Sequence, residues 1–166
     1  MQNKDEIVQY LGLKPHPEGG FYKETYRSEG LISNDDLNSR YKGKRNYATC
    51  IYFLLSSDNF SAFHRIKQDE IWHFYKGSPI SLHIINSQGH YHKIMIGSNI
   101  ERGEIPQFVV KGGDWFASEV ADSNSYALAG CTVSPGFDFV DFEMAEKQEL
   151  IQKYPDYQQI INKLTR

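Results

Sequence analysis

FHRIKQDEIWHFYKG, residues 63–77, contains two strand-like segments on either side of a polar turn. His64 lies near its start, Glu70 follows six residues later, and Gly77 closes it seven residues after that. Side chains alternate between the two faces of a β-strand, so in an antiparallel hairpin His64 and Glu70 converge on one face of neighbouring strands. An imidazole and a carboxylate that meet inside a barrel can hold a metal, exchange a proton or grip a polar ligand. The spacing leaves all three alternatives open.

Strand-like segments recur about every ten residues through the middle of the chain, and turn residues such as Asn, Gly and Pro separate them. This rhythm is typical of a β-sandwich or barrel and not of alternating β-α-β units. The aromatic content of 14% also suits β-structure around a lined cavity. The predicted strands are residues 21–27, 47–55, 61–66, 70–75, 81–85, 91–96, 107–110, 115–120, 126–133 and 137–142.

Both ends of the chain are predicted to be helical. Asn3 and Glu6 have the spacing of a capping box, and Gly12 is placed to end the helix that follows. The tail, residues 145–166, carries apolar residues at helical spacing until Pro155 interrupts the pattern. Two short helices on the outside of a barrel fit this tail best.

The length of 166 residues is that of one domain. We expect a single domain, residues 1–166, with a barrel spanning roughly 20–143 and a helical tail at 145–166. Residues 30–44 are polar and are predicted to form a surface loop.

Composition argues against several classes of partner and location. A formal net charge of -3 gives no reason to expect nucleic acid, because phosphate binding requires concentrated positive charge. The longest strongly apolar run, residues 47–55, is too short to cross a membrane. Cys50 and Cys131 lie in apolar runs and are predicted to be reduced thiols. The polar start, residues 1–6, is unlike a signal peptide, so we expect a cytoplasmic protein.

The first stretch resembles the first sequence motif of the cupins, which is His-x-His, three or four residues, Glu, six residues, Gly. His64, Glu70 and Gly77 match the motif at the right spacing. Ile66 stands where the second histidine is expected. The second cupin motif, Pro-x-Gly-x-x-His, is similar to residues 111–116.

In that second motif Gly113 matches, but Phe116 occupies the position of the last histidine. Cupin metals usually take three histidines and a glutamate, whereas this chain supplies only His64 and Glu70 of that set. Two protein ligands rarely hold a transition metal tightly. No cofactor is therefore expected, and a divalent metal, if one binds, is expected at His64 and Glu70.

The whole chain also resembles one uncharacterised family, Cupin family five. The resemblance implies an all-β, double-stranded β-helix (jelly-roll) barrel with short terminal helices, and a homodimer. It also implies kinship with sugar-nucleotide epimerases, germins and auxin-binding proteins, but no settled reaction. The segments that carry the resemblance are residues 16–22, 24–27, 51–55, 70–77 and 132–139.

Proton transfer without a metal is one interpretation of the His64–Glu70 pair. An imidazole has a reference pKa of ~6.5, and a neighbouring carboxylate can orient one of its tautomers. His64 and Glu70 would then act as base and orienting group, with Tyr22 or Tyr52 as the acid across the cavity. The alternative is that the pair is a satisfied buried polar contact without catalytic function.

The predicted ligand-binding residues are of two kinds, aromatic walls and polar groups that grip an anion. Residues 16–20, with paired glycines, form a shaped loop that can cover the barrel mouth. Guanidinium groups pair bidentately with carboxylate or phosphate. Alternatively, the loop at residues 16–20 and the residues that follow it belong to a dimer-forming strand with surface arginines. The aromatic candidates are Trp72, Phe74, Trp115 and Phe116, and the polar candidates are Thr25, Arg27 and Arg45.

We therefore expect a cupin that binds a small-molecule ligand inside its barrel. The first functional hypothesis is metal-independent, epimerase- or isomerase-like proton transfer on a carbohydrate-derived metabolite. The second is a non-catalytic ligand-binding module. The third is a metal-dependent cupin with an incomplete ligand set.

Overall fold

A computed structural model describes residues 3–166. Within that range the chain forms thirteen β-strands and three α-helices, and short 3-10 turns lie between some of them. The helices are α1 (Lys4–Leu11), α2 (Lys147–Lys153) and α3 (Gln158–Lys163). The strands are β1 (Lys14–Pro15), β2 (Phe21–Arg27), β3 (Leu31–Ile32), β4 (Arg45–Asn46), β5 (Thr49–Ser56), β6 (Phe60–Arg65), β7 (Asp69–Gly77), β8 (Ile80–Ile85), β9 (Tyr91–Ile96), β10 (Gln107–Val110), β11 (Trp115–Val120), β12 (Tyr126–Ser134) and β13 (Glu143–Met144).

Two antiparallel sheets make up the barrel. One has the strand order β1-β2-β5-β12-β7-β10, and the other has the order β13-β6-β11-β8-β9. Side chains from both sheets meet in one buried cluster that includes Phe53, Trp72, Leu82 and Phe116. Inward and outward residues alternate along the strands, as a packed pair of sheets requires. The predicted all-β jelly-roll class is confirmed.

The expected hairpin between β6 and β7 is wrong. β6 pairs with β11 and β13, whereas β7 pairs with β12 and β10, so the two strands belong to opposite sheets. The polar turn between them carries the chain across the barrel. Its Gln68 is buried, and the amide donates to the carbonyl of Gly136 (3.3 Å) and to Asp141 Oδ2 (2.7 Å). His64 and Glu70 therefore face each other across the gap between two sheets.

The terminal helices lie where the sequence predicts them. The capping box of α1 is present, with Asn3 accepting from the Glu6 amide, and Gly12 ends the helix in the left-handed conformation. α2 and α3 cover the outer face of the second sheet, where Leu150 and Ile161 are buried against Trp115. No helix in residues 3–166 has both the length and the apolar character needed to cross a bilayer.

Candidate functional site

A cavity of about 450 Å³ opens between the two sheets at one end of the barrel. Its buried polar groups include Glu18, His64 and Glu70, and the thiol of Cys131 lies beside them. These groups come from the loop before β2, from β6, from β7 and from β12. A small molecule inside this space can therefore contact both sheets and the loop at once.

The loop that delivers Glu18 depends on two glycines. Gly19 has φ +118, and a Cβ there would collide with the Phe60 carbonyl oxygen. Gly20 has φ +73, and its Cβ would lie 2.7 Å from the Leu54 carbonyl oxygen. Only glycine allows the backbone this close to the sheet. The Ala62 amide donates to the Glu18 carbonyl at 2.8 Å, which fixes the loop against β6.

The Glu18 carboxyl is the hub of a buried polar cluster. Its Oε1 accepts a hydrogen bond from the Ser61 hydroxyl at 2.9 Å. Its Oε2 lies 3.1 Å from His64 Nε2 and 3.3 Å from His16 Nδ1. Glu18 is 7% exposed and His64 is 2% exposed, so the cluster is shielded from water.

The remaining partners of the two imidazoles locate the proton in this cluster. His64 Nδ1 lies 2.7 Å from the Ala62 carbonyl, which can only accept, so Nδ1 carries a proton. His16 Nδ1 accepts from the Glu18 amide at 3.3 Å and carries none. Burial raises the pKa of Glu18 and lowers the pKa of His64. Both directions disfavour an ion pair between a Glu18 carboxylate and a His64 imidazolium.

Glu70 is the second buried carboxyl of the cavity, 9% exposed. Burial, followed by the nearby Glu18, raises its pKa to about 7. The Cys131 thiol hydrogen-bonds to this carboxyl, and burial together with Glu70 raises the pKa of the thiol well above its ordinary value. Glu70 is therefore close to half ionised at neutral pH, while Cys131 stays a thiol.

Aromatic rings form one wall and the mouth of the cavity. Phe139 stacks on His16 with centroids 6.0 Å apart, and the Tyr22 ring meets the same imidazole edge-on at 4.5 Å. Phe142 lies against His64 at 5.3 Å. These rings keep water from the imidazoles and present apolar surface to a ligand.

A family model described as Cupin superfamily (DUF985) matches residues 5–145. The protein belongs to this cupin family. An uncharacterized protein of Saccharomyces cerevisiae, YML079W, is 30% identical over an alignment of 145 residues that covers 82% of this chain and 72% of the yeast protein. Protein SO0799 of Shewanella oneidensis is 37% identical, covers 100% of this cupin and 99% of its own chain, and superposes with a TM-score of 0.90. The resemblance seen in the sequence is thereby confirmed.

A more distant likeness concerns the fold alone. Oxalate decarboxylase from Bacillus subtilis superposes with a TM-score of 0.55 at 11% identity, over 90% of this cupin and 36% of that chain. The Bacillus subtilis enzyme has Mn(II) centres.

The residues of this cupin do not fit the metal that its fold family implies. Ile66 lines the cavity with hydrocarbon, and the Phe116 ring lies 4.1 Å from the His64 ring. His64 Nε2, the nitrogen that faces the cavity, is bonded to Glu18. Among residues 3–166, no three His, Cys, Asp or Glu side chains are arranged to hold a metal ion. The expectation of no cofactor stays a prediction.

Four of the sequence-predicted site residues line the cavity: His64, Glu70, Tyr22 and Arg27. Arg27 lies at the exposed rim, where its guanidinium forms a bidentate pair with Glu24 at 2.7 and 2.9 Å. Its remaining donors go to Asn46 and to a backbone carbonyl. A ligand anion would therefore have to compete with Glu24 for Arg27.

The other polar candidates lie away from the lining that the described residues provide. Tyr52 points outward and meets Tyr75 edge-on at 6.1 Å, because its neighbour Phe53 takes the inward position on β5. Thr25 donates to the Cys50 carbonyl at 3.2 Å. Arg45 is the other candidate, and it is buried.

Arg45 holds a neighbouring segment in place. Its guanidinium forms a bidentate pair with Asp141 at 2.7 and 2.8 Å, and both side chains are almost fully buried. This pair ties β4 to the 3-10 turn at residues 139–141, which carries Phe139 into the cavity wall.

The four aromatic candidates divide between two cores. Trp72, Phe74 and Phe116 belong to the cluster between the sheets, behind the cavity surface. Trp115 faces the other side of β11 and packs under the C-terminal helices. Neighbours on a strand point to opposite faces, so Trp115 and Phe116 do not share a wall.

Sequence reasoning did not assign His16, Glu18 and Cys131 to the site. The signal for the first two was a histidine and a glutamate beside paired glycines, in a loop already expected at the barrel mouth. Nothing local marks Cys131, because only the β12–β7 register, which pairs it with Trp72, brings it near Glu70.

Proposed function

We propose that this cupin binds a small, carbohydrate-derived carbonyl compound in its cavity and transfers a proton on it without a metal, in the manner of an isomerase or epimerase. One observation carries the proposal. Glu70, a buried carboxyl with a pKa of about 7, lines the same cavity as the Glu18–His64 pair, whose Oε2 and Nε2 atoms lie 3.1 Å apart. A base and an acid that are both available near neutral pH are what such chemistry requires.

We assign the base role to Glu70 and the acid role to Glu18. Ionised Glu70 takes a proton from the carbon beside the substrate carbonyl, and the C–H electron pair moves to form an enol. The Glu18 O–H turns from His64 Nε2 to the substrate and donates its proton to the carbonyl oxygen as the negative charge develops there. His64 is a positioning residue, since both of its nitrogens are occupied by protein partners. Glu70 then returns its proton to the same carbon, and the enol O–H gives its proton back to Glu18. In an aldose–ketose isomerisation Glu70 instead protonates the former carbonyl carbon, and the neighbouring hydroxyl gives its proton to Glu18 as it becomes the new carbonyl.

The sequence favoured His64 as the base, whereas we assign that role to Glu70. A base must present a free lone pair to the substrate, and His64 Nε2 uses its lone pair on Glu18. Tyr22 remains at the mouth, where its hydroxyl can orient the ligand.

Solvent deuterium exchange tests this function. The protein is incubated in D₂O with a panel of aldo- and keto-sugars, free, phosphorylated or nucleotide-linked, and proton NMR follows loss of the signal beside the carbonyl. We expect exchange on one class of sugar, reduced at least a hundredfold in Glu70→Gln. His90→Ala, at an exposed position outside the cavity lining, is the matched control.

Saturable binding of one sugar without any exchange would replace this function by the non-catalytic ligand-binding module. Absence of both binding and exchange across the panel would contradict the proposal.

We further propose the homodimer that the resemblance implies. Exposed aromatic side chains on β2 and β7 support it: Tyr26 is 53% exposed and Tyr75 is 52% exposed. Aromatic residues are enriched at protein interfaces. Sedimentation equilibrium gives twice the chain mass if this is right, and the chain mass alone if it is wrong.

A further inference from the structure

A second pocket, of about 400 Å³, lies behind one wall of the first cavity. Ile66 and Phe142 line both spaces, so they form the partition between them. The alternation of side chains along β6 explains why neighbouring residues line different spaces. On β6, His64 points into the first cavity while its neighbour Arg65 points the other way, into the second pocket.

Positive charge is concentrated in this second pocket. Arg40, Arg65 and Lys67 line it, and they come from the surface loop, from β6 and from the crossover between the sheets. The carboxylates of the lining are Asp141 and Glu143. The three cations outnumber them.

The two carboxylates are already engaged. Asp141 lies 3.3 Å from Lys67 but is also paired bidentately with Arg45, so Lys67 shares its partner. Glu143 pairs bidentately with Arg65 at 2.8 and 3.0 Å, and the two side chains are 54% and 36% exposed. Solvent screens a pair as exposed as this one, so an incoming phosphate can compete with Glu143 for Arg65.

Of these three cations, Arg40 is the one whose charge is least neutralised by neighbouring carboxylates. Its guanidinium lies over the Tyr41 ring at 5.2 Å, and no carboxylate among residues 3–166 lies within 4.0 Å of it as an ion-pair partner. The nearest acidic influence is Asp69, whose pKa Arg40 helps to lower. Asp69 itself already pairs with Lys111 at 2.8 Å.

The lining thus holds three cations and two carboxylates, on a chain whose formal net charge is -3. Such a local excess of the opposite sign concentrates anions.

We propose that this pocket binds a phosphate group, with Arg40, Arg65 and Lys67 as its ligands. Guanidinium forks match the oxygens of a phosphate bidentately, and a lysine adds a point charge. The site is separate from the cavity of the proposed function and does not depend on it. The phosphate is either free or the end of a phosphorylated metabolite, since the same three cations suit both.

Inorganic phosphate is the first probe. Its binding to the full chain is measured by isothermal titration calorimetry at constant ionic strength, with sodium chloride as the compensating salt. We expect saturable binding of one phosphate per chain. Arg40→Ala weakens it about tenfold, because a hydrogen bond to a charged group is lost. Arg40 is exposed, so this variant is expected to fold.

Lys44→Ala is the matched control, because it removes one exposed positive charge from the same loop but outside the pocket lining. It leaves phosphate affinity within about twofold if the site is local. Equal losses in the two variants, or no saturable binding by the parent protein, would overturn the proposal. Methyl phosphate, titrated in parallel, separates the two sources: tighter binding than inorganic phosphate indicates an esterified ligand, and weaker binding indicates the free ion.

Discussion

Glu18 and Glu70 are two buried carboxyl groups that line one cavity, and their burial explains why neither behaves like a surface glutamate. Burial raises the pKa of each, and Glu18 raises that of Glu70 further. The partners differ, however: Glu18 has an imidazole and a serine hydroxyl, whereas Glu70 has a thiol. Two carboxyls with different partners are suited to acid and base roles.

Glu70→Gln should change how stability depends on pH. The folded-state pKa of Glu70 is about 7, above the unfolded value of 4.5. The folded state therefore holds this proton more tightly, and the protein loses stability as pH rises from 4.5 to 7. The shift corresponds to about 3 kcal/mol. From pH 5 to pH 8 the free energy of unfolding of the variant, measured by urea unfolding, should rise by about 2.5 kcal/mol relative to that of the parent.

A stability difference between Glu70→Gln and the parent that is the same at both pH values would show that Glu70 titrates normally. Glu101→Gln, at an exposed site with no cavity contact, serves as the control and should give no pH-dependent difference.

At the scale of elements, the loop before β2 decides whether the site exists, because it carries Glu18 and His16. Gly19→Ala should destabilise the protein by about 3 kcal/mol, since a Cβ meets the Phe60 carbonyl oxygen and φ is +118. Gly103→Ala is a matched control, with φ +76 but open space around a Cβ, and should cost about 1 kcal/mol. Equal costs in thermal unfolding would show that the close approach of the loop is unimportant.

The pair of Arg45 with Asp141 anchors the turn that carries Phe139. Arg45→Met should cost 3 kcal/mol or more, roughly, because it leaves a buried carboxylate with fewer partners. Arg27→Met, which breaks an exposed pair with Glu24, should cost less than about 1 kcal/mol. Chemical denaturation compares the two. A cost for Arg45→Met as small as that for Arg27→Met would contradict a structural role.

Local signals predicted the elements better than their partners. The alternation and turn residues located most strands, and the capping box of Asn3 and Glu6 located α1. The β6–β7 hairpin was wrong because a polar turn looks the same whether the chain returns within one sheet or crosses to the other. The deciding contacts of Gln68, with Gly136 and Asp141, come from about 70 residues away in sequence.

For the molecule as a whole, the cupin motif predicted the barrel and placed His64 and Glu70 in one cavity. It did not predict Glu18, because that residue precedes the motif and reaches His64 only when the loop folds over the barrel mouth. The sequence shows that Ile66 and Phe116 replace two of the histidines of the cupin motif. It does not show that Glu18, and not a metal, contacts His64 Nε2. Tertiary proximity of this kind leaves no local pattern.

Burial inside the barrel raises the pKa of Glu70 to near neutral pH, and the proposed function rests on this shift. Carboxyl carbon NMR measures this pKa most directly. Protein labelled with ¹³C at glutamate side chains is titrated from pH 4 to pH 9, and Glu70→Gln assigns the resonance. We predict an apparent pKa near 7 for Glu70. A midpoint near 4.5, the value of an ordinary glutamate, would contradict both the buried acid–base pair and the function built on it.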